Sequence, residues 1–157
     1  MLLVRVFPGL EQREMGTLVR GALSGHDAEC PNCKPVRMNR STSPDHIGYP
    51  SYLFITVARY ATGGAKVTTK IKKASKFVYG LEDYELVGFT VHIGARATSG
   101  HYRGYLADGQ KFDDHGGLKL DRFGFAMAPE HSHISPEEFK EAKEDGYCYL
   151  YKRVTNR

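Results

Sequence analysis

The chain has no tryptophan and only three cysteines in 157 residues. So small and odd a cysteine count argues against a disulfide framework and points to a reducing compartment, cytoplasm or nucleus. No apolar run approaches the length of a bilayer crossing. Met1-Leu2-Leu3-Val4 meets Arg5 too early to form the apolar core of a signal peptide. Charge of one sign is scarce too: the formal net charge is +4, and the basic residues are spread out. The densest cluster, Lys66, Lys70, Lys72 and Lys73, is interleaved with apolar and small residues. It reads as the solvated face of a strand, so neither nucleic acid nor membrane is an expected partner. Internal repeats and low-complexity tracts are absent. What remains, 41% hydrophobic and 25% charged residues, is the composition of one globular domain or part of a larger one.

Hydrophobic periodicity and turn residues then divide the chain. Residues 2–7 read as a strand stopped by Pro8-Gly9. Leu18, Val19, Ala22 and Leu23 stand at helical spacing and predict a helix over 11–23. Residues 24–48 are rich in Gly, Pro, Asn, Ser and Asp and read as a loop or knuckle. Beyond them, strands are predicted over 52–60, 67–71, 84–93 and 101–107. Asp108-Gly109 marks a hairpin turn, and a return strand begins at Lys111. Ser135-Pro136-Glu137-Glu138 carries the chemistry of a helix start, and Asp145-Gly146 that of its end. Tyr147-Cys148-Tyr149-Leu150-Tyr151 closes the set as a strand. The fold class is α+β, mainly antiparallel sheet with short helices.

The chemistry concentrates after Ser99. His101 lies between Gly100 and Tyr102, and a carboxylate pair, Asp113 and Asp114, follows one hairpin later. A carboxylate on the neighbouring strand can fix the imidazole tautomer and stabilise the imidazolium, leaving the second ring nitrogen to move a proton. Gly100 would remove bulk on the side where a substrate backbone approaches. The plain alternative is a surface histidine beside a turn. His92 reads as a hydrogen-bonded histidine near a strand end. Cys30 and Cys33 form a C-x-x-C with His26 nearby. Those three could hold zinc with water or Asp27 as a fourth ligand, or could simply form a turn.

Several runs, in order, resemble the ubiquitin-specific proteases. They are Cys30-Pro-Asn-Cys33; the strand from Tyr49-Pro50 to Arg59-Tyr60; Lys70-Ile71; the run from Tyr84 through His92-Ile-Gly94; Ser99-Gly-His101-Tyr102; Phe112-Asp113-Asp114; and Tyr147 to Tyr151. Together they span about residues 17 to 152. The resemblance implies a papain-like cysteine protease fold and thiol-dependent hydrolysis of the isopeptide bond after ubiquitin's C-terminal glycine. The partner it implies is ubiquitin or a ubiquitinated protein. His101 then matches the catalytic base and Asp113 the orienting acid, with Asp114 as second candidate. Residues 24–48 match a reduced finger-like knuckle, and residues 49–152 a palm sheet bearing the His/Asp pair.

The family's nucleophile is a cysteine in an upstream G-N-T-C box, at a helix N-terminus that lowers its pKa. No such box occurs here. Cys30 and Cys33 occupy the knuckle position, without the second C-x-x-C that completes the family's zinc site. Cys148 lies within a strand, where a thiol is expected to be inert. The tryptophan often found before the F-D-D run is missing, and the intervening hairpin is short. Residues 1–157 therefore read as a partial domain lacking its catalytic-cysteine half. Three readings stand: an inactive truncated protease, a catalytically dead ubiquitin-binding or scaffold module, or one chain of a split enzyme whose partner supplies the cysteine.

Overall fold

The computed structural model describes residues 2–5, 12–23, 27–28, 38–39, 49–60, 64–113, 122–124 and 130–154. Its elements are β1 (Leu2–Arg5), β2 (Gln12–Glu14), α1 (Met15–Leu23), β3 (Asp27–Ala28), β4 (Met38–Asn39), β5 (Tyr52–Ala58), β6 (Lys70–Lys72), β7 (Lys76–Tyr79), β8 (Glu82–Arg96), β9 (Ser99–Leu106), β10 (Gln110–Asp113), β11 (Glu130–His133), α2 (Pro136–Glu144) and β12 (Cys148–Arg153). Eight strands form one sheet in the order β1-β5-β12-β8-β9-β10-β11, with β7 also paired to β8. All its pairs are antiparallel except β1 with β5. Two short ladders lie apart, β2 with β6 and β3 with β4. This is the α+β class expected from the sequence.

The core covers one face of the sheet. Ile55, Val57, Phe89, Val91, Tyr105, Tyr149 and Tyr151 are buried there, in one cluster with Met15 and Val19 of α1. With no tryptophan, tyrosine supplies the bulk, and a buried phenol needs a polar partner. The hydroxyls of Tyr84, Tyr149 and Tyr151 donate to the carbonyls of Pro50, Lys143 and Ala74 at 2.7, 2.6 and 2.7 Å. On β8 the buried positions shift phase, from Tyr84 and Leu86 to Phe89 and Val91. The cause is a bulge: Leu150 stands opposite Gly88 but Tyr151 opposite Leu86, so Val87 is an extra residue. The other face leaves Tyr52, Phe54, Tyr102 and Leu106 exposed among the described residues.

Arg59 is the largest fully buried side chain among the described residues, 1% exposed. Its Nε donates to Gly146 O (2.8 Å), one terminal nitrogen to Thr69 O (2.7 Å) and Val67 O (3.3 Å), and the other to Glu144 O (2.9 Å). Two of these acceptors lie at the C-terminal end of α2, where the helix dipole favours a cation. At the other end of α2, Ser135 accepts from the backbone N–H of Glu138 at 3.1 Å, the cap expected there.

The predicted segments shift in places. Gln12–Glu14 form a strand against β6 instead of a first helical turn. The apolar helical face begins only at Met15, so nothing ties the preceding residues to a helix. Residues 67–69 leave the expected strand because the carbonyls of Val67 and Thr69 turn to Arg59. β8 runs through Gly94 to Arg96, past the predicted stop.

Candidate functional site

His101 and Asp113 are brought together by one hairpin. Gly109, at φ +89°, closes the turn, with its N–H donating to Leu106 O at 3.1 Å. Pairing then sets Lys111 opposite Tyr105 and Asp113 opposite Arg103. His101 sits one step further along β9 on the same face as Arg103, since side chains alternate. The His101 Nε2 to Asp113 Oδ1 distance is 2.6 Å, and Arg103 Nε donates to Asp113 Oδ2 at 2.6 Å. The His101 and Asp113 side chains are about one-fifth exposed, at 22% and 20%. An imidazole held on a carboxylate, near a surface, can take up a proton and stay oriented while doing so.

His92 is buried, 2% exposed. Its Nδ1 hydrogen-bonds the Tyr60 hydroxyl, and its ring packs against those of Tyr60 and Tyr102. Lys66 Nζ donates to its backbone carbonyl at 2.6 Å. Burial, then the Lys66 charge, holds the His92 pKa below its ordinary 6.5. The folded state therefore binds fewer protons at this ring than the unfolded chain does near pH 6.5. The resulting stability is present above that pH and is lost as pH falls through and below it. Urea midpoints should decline on acidification from pH 7.5 to 5, and less so in a His92→Gln protein. Equal slopes in the two proteins would exclude His92 as the cause.

The space beside Gly100 is not open. A Cβ there would run into the His92 ring and would lie 2.5 Å from Ile93 O. The glycine makes room for His92, which corrects the expectation that it clears a path for substrate. Cys148 is half-buried, with its Sγ 3.7 Å from Thr56 Oγ1. It pairs with Thr90, whereas His101 pairs with Ile93. Three residues along a regular strand reverse the face, so the Cys148 thiol and the His101 ring lie on opposite sides of the sheet. Asp114, His26, Cys30 and Cys33 lie outside the described residues. Arg103 is the site residue that sequence reading passed over. Two-fold alternation from His101 puts it on the same face, and the three-residue turn Ala107-Asp108-Gly109 sets the register that brings it opposite Asp113.

No family model and no curated protein matches the sequence. Solved structures do match. A chain of the Ubp8-Sgf11-Sgf73-Sus1 SAGA DUB module superposes with a TM-score of 0.58 at 19% identity, over 98% of this chain and 33% of that one. The fold is ubiquitin-specific-protease-like. A SAGA DUB module bound to monoubiquitin gives 0.56 at 17% identity, over 99% of this chain and 35% of that one. An essential yeast splicing factor gives 0.55 at 12% identity, over 98% and 36%. The chain thus spans about a third of the length of the structures it matches.

Proposed function

We propose that this chain is the His/Asp-bearing part of a papain-like, ubiquitin-specific-protease-type domain. In this reading it serves thiol-dependent deubiquitination once a cysteine-bearing segment stands opposite His101. The observation that carries it is the 2.6 Å contact of His101 Nε2 with Asp113 Oδ1 on paired strands, within a fold like that of the SAGA DUB modules. With Nε2 turned to Asp113, Nδ1 is the nitrogen that accepts the thiol proton. The thiolate attacks the carbonyl of ubiquitin's C-terminal glycine, and the imidazolium returns the proton to the departing lysine amine. Water then releases the acyl group with His101 again as base. Ubiquitin or a ubiquitinated protein is the partner, in cytoplasm or nucleus. Among the described residues, no helix is long and apolar enough to cross a membrane.

In this reading the thiol is supplied by an upstream segment or by a partner chain. A ubiquitin–coumarin assay tests this. The chain alone should give no turnover. Addition in trans of a cysteine-bearing segment from a protease of this fold should give turnover that His101→Gln abolishes. Turnover by the chain alone that is lost on changing Cys30, Cys33 or Cys148 to serine would overturn the reading. A second reading, a catalytically dead ubiquitin-binding or scaffold module, is favoured by the position of Cys148 across the sheet from His101. It predicts ubiquitin binding by the chain with no turnover under any complementation.

A further inference from the structure

We infer that Arg103 is a positioning residue: it locks the Asp113 carboxylate so that one oxygen is held on His101. The inference rests on the proposed deubiquitinase reading for its catalytic consequence, though not for its geometry.

Asp113 has two oxygens and each is engaged. Oδ1 meets His101 Nε2 and Oδ2 receives Arg103 Nε, both at 2.6 Å. The terminal torsion of an aspartate is broad and nearly two-fold, so a carboxylate held at one oxygen can turn. Held at both, it cannot turn without losing two charge-assisted hydrogen bonds. Arg103 shares a face with Tyr105, which is 5% exposed and stacked on Phe89 with ring centroids 4.9 Å apart at 9°. Burial raises the Tyr105 pKa, and the Arg103 charge acts against that rise. The line of hydrogen bonds runs from Arg103 through Asp113 to His101.

The choice of arginine follows from this. The donor to Asp113 is Nε, whose position is set by the side-chain stem and the plane of the guanidinium. Lysine would offer a mobile point charge. The same cation draws on the carboxylate's charge and weakens its pull on the imidazole. Fixed geometry is gained at some loss of electrostatic strength.

Imidazole ¹⁵N spectra of the isolated chain above pH 8, where histidine is ordinarily neutral, test the geometry. The wild-type protein should show His101 as the Nε2–H tautomer. Arg103→Gln should show a mixture of tautomers, and Arg103→Lys an intermediate state. In the complemented ubiquitin–coumarin assay, Arg103→Gln should lower kcat about ten- to a hundredfold with KM unchanged, the cost expected of a misplaced catalytic group. An unchanged tautomer in Arg103→Gln would overturn the inference. Should Arg103→Gln fail to fold, the Arg103 Nε–H resonance decides: it should move upfield and exchange faster in Asp113→Asn, and an unmoved resonance would overturn the inference. Absence of turnover in the complemented wild-type protein would sink the deubiquitinase reading, while the spectra would still decide the role of Arg103.

Discussion

Replacing Arg59 by methionine is expected to destabilise the protein by about 4 kcal/mol, the scale for removing a buried charge and stranding its partners. The side chain is 1% exposed, and methionine matches much of its volume, so the loss is not a cavity effect. What is lost are donors to the carbonyls of Val67, Thr69, Glu144 and Gly146. Those carbonyls belong to the segment after β5, the end of α2 and the approach to β12. Lysine keeps the charge but cannot reproduce the fork, so Arg59→Lys should recover less than half of the loss. Urea midpoints for the three proteins, at pH 7.5, provide the check. A cost below about 1 kcal/mol for Arg59→Met would show that those carbonyls find other partners.

Gly100→Ala is expected to cost about 2–4 kcal/mol, by backbone strain and overpacking together. The backbone stands at φ +151°, a conformation that side chains other than glycine rarely adopt. The added methyl would meet the His92 ring, with Cε1 at 2.6 Å, and Ile93 O at 2.5 Å. The His92 ring can retreat only by giving up the Tyr60 hydroxyl. The carbonyl cannot retreat, because it belongs to β8, which is paired with β9 here. Combining Gly100→Ala with His92→Ala should therefore cost less than the sum of the single changes, by about 1 kcal/mol, the coupling typical of residues in contact. Thermal melts of the four proteins measure it. Strict additivity would mean that the ring is not what the methyl strikes.

The helix start at Ser135, the tyrosine strand at β12 and the turn at Asp108-Gly109 carry local chemistry strong enough to be seen in the residues alone. Lys76–Tyr79 is too short, at four residues, to carry a strand signal of its own; β7 is a strand because β8 is long enough to pair with it. β11, Glu-His-Ser-His, has no β-prone pattern at all, and pairing with β10 alone makes it a strand. At the site, His101 and Asp113 were visible as a base and an acid one hairpin apart. Arg103 was not, since a lone arginine on a strand carries no signal until the register is known. The reason for Gly100 was also hidden: it depends on a histidine eight residues away, folded back across the hairpin.

The place of β12 has a kinetic consequence. The last of the described strands lies in the interior of the sheet, between β5 and β8. Until it arrives, the β1–β5 pair and the β7–β8–β9–β10–β11 group are separate pieces, each offering an open edge that the other cannot satisfy. Cys148 must find Thr56, some ninety residues earlier, and Thr90 in the same step. Contacts that distant in sequence delay folding, because the loop entropy is lost before any pairing compensates it. During synthesis, the two waiting edges are therefore the surfaces most open to mispairing with other chains. Refolding should show a single slow phase in which β5 and β8 gain amide protection together, whereas a chain ended before residue 148 should bind chaperones rather than fold.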